Sequence, residues 1–78
     1  MTQQTETVTV YTRPDCVQCQ RTIRKLTRSG IEHHVIDVTA DADALRHITE
    51  DLDYRQAPVV EAGGRHWSGY RPDLIAGL

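Results

Sequence analysis

The sequence predicts an α/β fold with the element order β-α-β-α-β-β-α, in which a four-stranded mixed sheet carries helices on both faces. Short segments rich in β-branched residues alternate with longer segments whose apolar residues recur every three or four positions. The chain has 78 residues and contains no repeat, low-complexity tract or linker. We therefore expect a single domain that spans residues 1–78.

The first half of the chain is expected to form a strand, a helix and a second strand. Residues 5–11 are rich in threonine and valine and predict the first strand, which Pro14 ends. Apolar positions at helical spacing predict a helix over residues 16–29, and Gly30 supplies a stop signal. Residues 32–38 predict the second strand. Because a helix joins these two strands, they should be parallel with a right-handed crossover.

The second half is expected to add a helix, a hairpin and a closing helix, which completes a thioredoxin-like fold. Residues 58–61 and 65–67 predict the hairpin, around a glycine-rich turn. Pro72 suits the first turn of a short helix that runs to Leu78. Residues 40–52 predict the earlier helix, since acidic residues stand at its start and four apolar side chains share one face. These four are Ala44, Leu45, Ile48 and Leu52.

Composition and charge argue against several classes of protein. Nine basic and eleven acidic residues give a net charge of −2, which does not favour binding to nucleic acid. No apolar run is long enough to span a membrane, so no transmembrane helix is expected. Residues 1–7 are polar and lack the pattern of a secretory signal. A cytoplasmic monomer is therefore the expectation.

The two cysteines lie three positions apart, in the run Pro14-Asp-Cys-Val-Gln-Cys19. A strand, a proline and then Cys-x-x-Cys at the start of a helix are typical of a redox-active dithiol. Helix N-termini stabilise a thiolate, so Cys16 is expected to be the exposed nucleophile and Cys19 the more buried resolving cysteine. Asp15 disfavours the Cys16 thiolate and Arg13 favours it, and the sequence leaves their balance open.

A metal-binding module is the alternative from a different class, in which the cysteine pair holds zinc or an iron–sulfur cluster between two chains. A structural zinc site needs four ligands, typically in two close pairs. His33 and His34 would point to opposite faces of a strand, and neither His47 nor His66 completes a second pair. We therefore expect no bound metal and interpret the histidines as ordinary surface residues.

Three motifs together resemble one known family. They are Cys16-Val-Gln-Cys19, Gln56-Ala-Pro-Val-Val60 and Trp67-Ser-Gly-Tyr-Arg-Pro-Asp73. The Cys-x-x-Cys motif alone indicates only the thioredoxin superfamily, whereas the third motif is far more specific. In this combination the chain resembles the NrdH-redoxins, a glutaredoxin-like family, over residues 8–78.

The resemblance implies a cis peptide bond between Ala57 and Pro58 that faces the two cysteines. In the family this turn leaves backbone groups free to pair with an extended substrate segment. Without the resemblance, a trans bond at the start of a strand is the simpler interpretation of Pro58. The residues expected to contact a partner are Ala57, Pro58, Val59, Trp67, Ser68, Gly69, Tyr70, Arg71, Pro72 and Asp73.

The resemblance also implies a function, which is electron donation to the large subunit of class Ib ribonucleotide reductase. Thioredoxin reductase would recharge the oxidised protein with NADPH, so no cofactor bound to this chain is expected. A glutaredoxin that depends on glutathione is the alternative within the same redox class. Glutaredoxins generally hold glutathione with a Gly-Gly motif before the last helix, whereas residues 68–73 place one glycine beside the bulky Tyr70 and Arg71.

Two further groups of residues have more than one interpretation. The basic residues of the first helix could steer an acidic partner toward the dithiol, or they could form an ordinary solvated face. Trp67 and Tyr70 could form an exposed aromatic patch or pack the last helix onto the sheet, and we expect a mixed role. The basic residues are Arg21, Arg24, Lys25 and Arg28.

Overall fold

A computed structural model describes residues 7–78, and in this part of the chain it shows strands and helices in the predicted order β-α-β-α-β-β-α. The strands are β1 (Val8–Thr12), β2 (His34–Asp37), β3 (Val59–Ala62) and β4 (Arg65–Ser68). The helices are α1 (Val17–Arg28), α2 (Ala42–Arg46), which runs on into a π-helical turn at His47–Asp51, and α3 (Pro72–Ile75). Residues 5 and 6 of the first predicted strand lie outside the described residues.

The strands form a mixed sheet in the order β2-β1-β3-β4. β1 pairs in parallel with β2, and the connection between them passes through α1. β1 also pairs antiparallel with β3, which forms a hairpin with β4. Val10, in an inner strand of the sheet, is opposite Val35 on one side and Val60 on the other. The predicted thioredoxin-like fold is therefore confirmed.

The core lies on both faces of the sheet, because side chains alternate along each strand. On one face, Leu26 of α1 and Ile75 of α3 pack against a buried layer from β1, β3 and β4. On the other face, Ala44 and Ile48 pack against a second layer. Helices on both faces of the sheet were predicted, and this is confirmed. The first layer consists of Val8, Val10, Val60, Ala62 and Trp67, and the second of Tyr11, Val38 and Val59.

The helix predicted over residues 40–52 differs most from expectation. Ala44 and Ile48 are buried, but Leu45 is 43% exposed, so its predicted place on the buried face was wrong. The chain changes from α-helical to π-helical geometry, and the N–H of Leu52 donates to the carbonyl of His47, five residues earlier, at 3.1 Å. A π-helical turn holds more residues than an α-helical one, so the regular spacing expected over residues 40–52 does not hold after Arg46.

Two other elements are shorter than predicted. β2 covers His34–Asp37 rather than residues 32–38, and α3 ends at Ile75 rather than at Leu78. After Ile75, the N–H groups of Gly77 and Leu78 donate to carbonyls three residues earlier, which makes tight turns rather than another α-helical turn. Of the helices within residues 7–78, none is both long and apolar enough to cross a membrane.

Candidate redox site

The cysteine pair lies at the point where α1 begins. Cys16 is the N-cap residue of α1 and has extended backbone angles, with φ −111° and ψ 104°. The N–H of Cys19 donates to the Sγ of Cys16 at 3.1 Å. A cap position faces unpaired N–H groups and the positive end of the helix dipole, and both favour a thiolate. The setting that the sequence predicts for a reactive cysteine is therefore present at Cys16.

The Sγ atoms of Cys16 and Cys19 are joined as a disulfide, and the Cα atoms of the two residues lie 5.2 Å apart. Cys19 is only 1% exposed, whereas Cys16 is half-buried and its neighbour Val17 is 61% exposed. A partner molecule can therefore reach Cys16 more easily than Cys19. This difference in exposure is the one expected between an attacking and a resolving cysteine.

The three sequence motifs are connected by hydrogen bonds. The peptide bond between Ala57 and Pro58 is cis, as the resemblance implies. The carbonyl of Pro58 accepts the N–H of Gly69 at 2.8 Å. The next N–H, that of Tyr70, donates at 3.2 Å to the side-chain Oε1 of Gln18, which lies between the two cysteines in the chain. These bonds lead from the Cys-x-x-Cys motif through the third motif to the cis-proline.

Gly69 holds this connection in a backbone conformation that favours glycine. Its φ is +89°, in a region that residues with a Cβ rarely adopt. A Cβ built at this position would lie 3.5 Å from Oε1 of Gln18, which is an ordinary contact distance. The backbone angle, rather than a lack of space, therefore explains glycine here.

The start of α3 carries an ion pair between Arg71 and Asp73. Nε and Nη2 of Arg71 donate to Oδ1 and Oδ2 of Asp73 at 3.1 and 2.9 Å. The hydrogen bonds lower the pKa of Asp73 and raise the pKa of Arg71. Pro72 is the first residue of the helix, and the N–H of Ile75 donates to the carbonyl of Arg71 at 3.0 Å. Both carboxylate oxygens of Asp73 therefore bond to the Arg71 side chain.

The other expected partner-binding residues differ in how far they reach the surface. Trp67 is 6% exposed and belongs to the core, and its Nε1 has no hydrogen-bond partner within residues 7–78. Val59 is fully buried, and Ser68, opposite it in the hairpin, is half-buried. Tyr70 is half-buried and packs against the edge of the core. The side chains of Trp67 and Val59 therefore act in packing, while Tyr70 remains accessible.

An apolar groove of about 160 Å³ opens beside Ala57, and the exposed side chain of Leu45 forms part of its wall. Within residues 7–78, neither the N–H nor the C=O of Ala57 makes a hydrogen bond. Free backbone groups beside an apolar groove suit an extended segment that adds as a strand. The other residues that line the groove are Arg13, Val38, Thr39, Ile48, Thr49, Tyr54, Arg55 and Gln56.

A second groove, of about 430 Å³, runs along α1 and is lined by basic side chains. Tyr70 also lines this groove, so the groove lies against the third motif. The four residues that the sequence placed on one face of the helix thus share one surface. They are Arg21, Arg24, Lys25 and Arg28. We refer to this surface as the basic groove.

A polar cluster that the sequence did not reveal connects β1, β3 and the π-helical turn. The hydroxyl of Tyr11 donates to Oε1 of Glu61 at 3.1 Å, and Nε2 of His47 lies 2.8 Å from the same oxygen. Nδ1 of His47 lies 2.8 Å from Oδ2 of Asp51. Because both ring nitrogens face carboxylates, only the doubly protonated ring can donate to both. The interpretation of His47 as an ordinary surface histidine was therefore wrong.

The pKa values of His47 and Tyr11 follow from this geometry. The hydrogen bonds from His47 to Asp51 and to Glu61 raise the pKa of the histidine, and they outweigh the opposing effect of burial. Burial first, and then the hydrogen bond and charge of Glu61, raise the pKa of Tyr11 to about 12. Tyr11 therefore keeps its proton in the pH range in which His47 titrates.

We predict that His47 makes the stability of the fold depend on pH. A pKa raised by folding contributes stability that is fully present below the unfolded value, about 6.5, and is lost as the pH rises through the folded value. Between pH values of about 6 and 9, the protein should lose about 0.5–1 kcal/mol of stability relative to the His47→Gln variant. Urea unfolding of both oxidised proteins tests this, and a difference independent of pH would contradict it.

The fold and the disulfide together define a thiol–disulfide oxidoreductase, since the Cys-x-x-Cys pair opens a helix of a thioredoxin-like fold with a cis-proline. A family model described as Glutaredoxin matches residues 8–67. The chain is also 43% identical to the glutaredoxin-like protein NrdH of Escherichia coli strain K12 over 68 residues, which are 87% of this chain and 83% of that protein. The chain therefore belongs to the glutaredoxin family, as one of its NrdH-like members.

Comparison of structures agrees with this assignment. The solved structure of the glutaredoxin-like protein NrdH-redoxin from Escherichia coli matches with a TM-score of 0.85 and 42% identity, over 91% of this chain and 92% of that one. That protein is described as having a thioredoxin-like activity profile. The Gene 56 protein of Mycobacterium phage L5 is 43% identical over 69 residues, which are 87% of this chain and 67% of that protein. The family resemblance of the three motifs is thus confirmed.

The described residues contain no evident metal site. Within residues 7–78, no group of three or more His, Cys, Asp or Glu side chains is arranged to hold a metal ion.

Proposed function

We propose that this protein carries electrons to the large subunit of class Ib ribonucleotide reductase in the cytoplasm, and that thioredoxin reductase recharges it with NADPH. The similarity to the NrdH proteins over 87% of the chain is the observation that carries the proposal. The thioredoxin-like activity profile described for the Escherichia coli relative supports thioredoxin reductase as the source of electrons. In this proposal the two cysteines hold the electrons, and the chain binds no cofactor of its own.

The first chemical step uses Cys16 as the nucleophile. In the reduced protein its thiolate attacks one sulfur of a disulfide in the partner, and a mixed disulfide forms. The other partner sulfur leaves as a thiolate and takes up a proton. The N–H of Cys19, which donates to Sγ of Cys16 in the oxidised protein, is placed to stabilise the thiolate before attack. Cys16 is only half-buried, whereas Cys19 is buried, so the partner reaches Cys16 first.

The second step uses Cys19 as the resolving cysteine. Its thiol loses a proton, and the resulting thiolate attacks Sγ of Cys16 in the mixed disulfide. The remaining partner sulfur leaves and takes up a proton. Two electrons have then passed to the partner, which is a dithiol, and the protein is left with its Cys16–Cys19 disulfide. Thioredoxin reductase would return two electrons from NADPH by the same exchange in reverse.

The partner's disulfide segment would be positioned by the backbone around the cis-proline. The N–H and C=O of Ala57 are free to pair with an extended chain, and the apolar groove beside them can receive a side chain. Gly69 and Tyr70 support this edge through their bonds to Pro58 and Gln18. These contacts favour an extended protein segment over a small thiol.

The ion pair at the start of α3 supports a reductant other than glutathione. The amino end of glutathione needs a free carboxylate, and Arg71 already binds both oxygens of Asp73. In addition, Tyr70 and Arg71 stand where glutaredoxins generally present small residues. Glutathione bound here would compete with Arg71 for the carboxylate of Asp73.

The direct test is an assay of a class Ib ribonucleotide reductase in which this protein is the only dithiol donor. With NADPH and thioredoxin reductase present, we expect continuous formation of deoxynucleotide that depends on this protein. The Cys16→Ser variant is the matched control and should support none. If the protein reduces simple disulfides but supports no deoxynucleotide formation, the proposed partner is wrong.

A further inference from the structure

We propose that the basic groove binds an acidic segment of the protein whose disulfide is reduced, next to its disulfide cysteine. This inference rests on the proposed function, because it takes Cys16 as the nucleophile that attacks a protein disulfide. It adds a second contact surface, separate from the cis-proline edge, and a definite chemistry for the partner. The groove is lined by Arg21, Arg24, Lys25, Arg28 and Tyr70.

The charge of the groove stands out against that of the chain. The sequence has a net charge of −2, yet four of its nine basic residues lie on this one surface. The segment Val17–Arg28 contains no acidic residue, so no i,i+3 or i,i+4 ion pair within α1 can neutralise them. The surface therefore carries a concentrated positive charge on an otherwise acidic protein, which attracts negative segments.

Two arginines outside the groove, Arg46 and Arg71, are paired with carboxylates, whereas the arginines of the groove are not. Arg46 lies within 3.9 Å of both Asp43 and Glu50, and Arg71 binds Asp73 at 2.9 Å. Within the described part of the chain, the four groove residues form no ion pair. No carboxylate of the described residues therefore competes with an external carboxylate for these four cations.

The geometry places the basic stripe in line with the reactive cysteine. Val17, next to Cys16 in the chain and 61% exposed, heads a row of side chains at positions 17, 21, 24 and 28. This spacing lies on one face of an α-helix and covers about 16 Å along its axis. A segment whose cysteine is attacked by Cys16 can thus pass over Val17 and continue along the arginines.

Tyr70 lines the groove beside α1 and is held there by a hydrogen bond of its backbone. Its N–H donates to Gln18 at 3.2 Å, and its ring packs against the edge of the core. The groove is therefore bounded by α1 and by a tyrosine whose backbone is anchored and whose side chain packs against the core. An extended chain advances about 3.3 Å per residue, so about five residues would fill its length. The occupant is accordingly a short, extended, acidic peptide segment.

The test measures how fast the reduced protein reduces three synthetic peptides, each with the same internal disulfide. In the first, about four glutamates follow the second cysteine directly; in the second, glutamines replace them; in the third, the glutamates follow a Gly-Ser spacer of about ten residues. At low salt the first peptide should be reduced about tenfold faster than the second. The third peptide should be reduced at nearly the same rate as the second. High salt should remove the rate advantage of the first peptide.

Matched variants locate the effect on the protein. Arg24→Gln combined with Arg28→Gln should slow reduction of the glutamate peptide about three- to tenfold, while the glutamine peptide is reduced at the unchanged rate. The unchanged rate also shows that the variant is folded and its dithiol is intact. Arg46→Gln, which removes an arginine from α2, should affect neither peptide.

Three outcomes would overturn the inference. Equal rates for the glutamate and glutamine peptides would show that the groove does not recognise acidic segments. Equal rates for the adjacent and spaced glutamates would show general electrostatic attraction rather than binding in the groove. If none of the three peptides is reduced, the oxidoreductase mechanism under Proposed function fails as well, which separates that failure from a failure of the groove alone.

Discussion

Replacing Cys16 by serine is expected to lower disulfide reduction by about a thousandfold or more, because a serine hydroxyl is not ionised at neutral pH and cannot attack a disulfide. Replacing Cys19 should have a different effect. The Cys19→Ser variant keeps the exposed nucleophile, completes the first step and then stops. A stable mixed disulfide with the partner should therefore accumulate in that variant alone.

Mass spectrometry separates these outcomes. A single turnover with a disulfide peptide should give Cys19→Ser an added mass equal to that of the peptide, whereas Cys16→Ser should gain none. The native protein, treated in the same way, should show only the loss of two hydrogen atoms as its disulfide forms. An adduct on Cys16→Ser but not on Cys19→Ser would reverse the assigned roles, since Cys19 would then be the nucleophile.

Replacing Trp67 by alanine is expected to cost about 3–5 kcal/mol of stability, which is a large share of the total for so small a chain. Trp67 is 6% exposed and lies in the layer that packs against Leu26 and Ile75, so its removal would leave a cavity between the sheet, α1 and α3. The Trp67→Phe variant should lose only about 1–2 kcal/mol, because it keeps most of the volume.

The phenylalanine variant also tests the state of the indole N–H. Nε1 of Trp67 has no hydrogen-bond partner within residues 7–78, so the change to phenylalanine removes no hydrogen bond to this part of the chain. Urea unfolding of the three oxidised proteins gives the comparison. Equal losses for the alanine and phenylalanine variants would indicate that Trp67 contributes through its N–H rather than through packing.

The architecture and the dithiol were predictable because their signals are local. β-branched runs, helical spacing, Pro14 and Gly30 each indicate structure within a few residues of themselves. The same is true of Cys16, whose place at a helix start follows from the strand and proline before it. These signals were sufficient for the order of elements, the mixed sheet and the difference in exposure between the cysteines.

The contacts that join distant segments were not predictable from the residues. Tyr70 and Gln18 are 52 positions apart, and Tyr11 and Glu61 are 50 apart, so no local pattern connects them. The cis bond before Pro58 was expected only from the family resemblance. Pairing across such separations depends on the strand register and helix packing, which exist only once the fold has formed.

The π-helical turn bears on one interpretation that failed. It begins at His47, where regular helical spacing predicts a further α-helical turn. The same turn presents His47 to Glu61 of β3, 14 positions later in the chain, at 2.8 Å. Only the spacing of His47 and Asp51 by four residues indicated a contact from sequence.

The most direct test of the central claim is NADPH consumption by the oxidised protein with each of two recharging systems in turn. One system contains thioredoxin reductase, and the other contains glutathione and glutathione reductase. We predict that NADPH is consumed, about one molecule per Cys16–Cys19 disulfide, with the thioredoxin reductase system alone. Consumption only with the glutathione system would make the protein a glutathione-dependent glutaredoxin, and consumption with neither would favour a cysteine pair that binds metal between two chains.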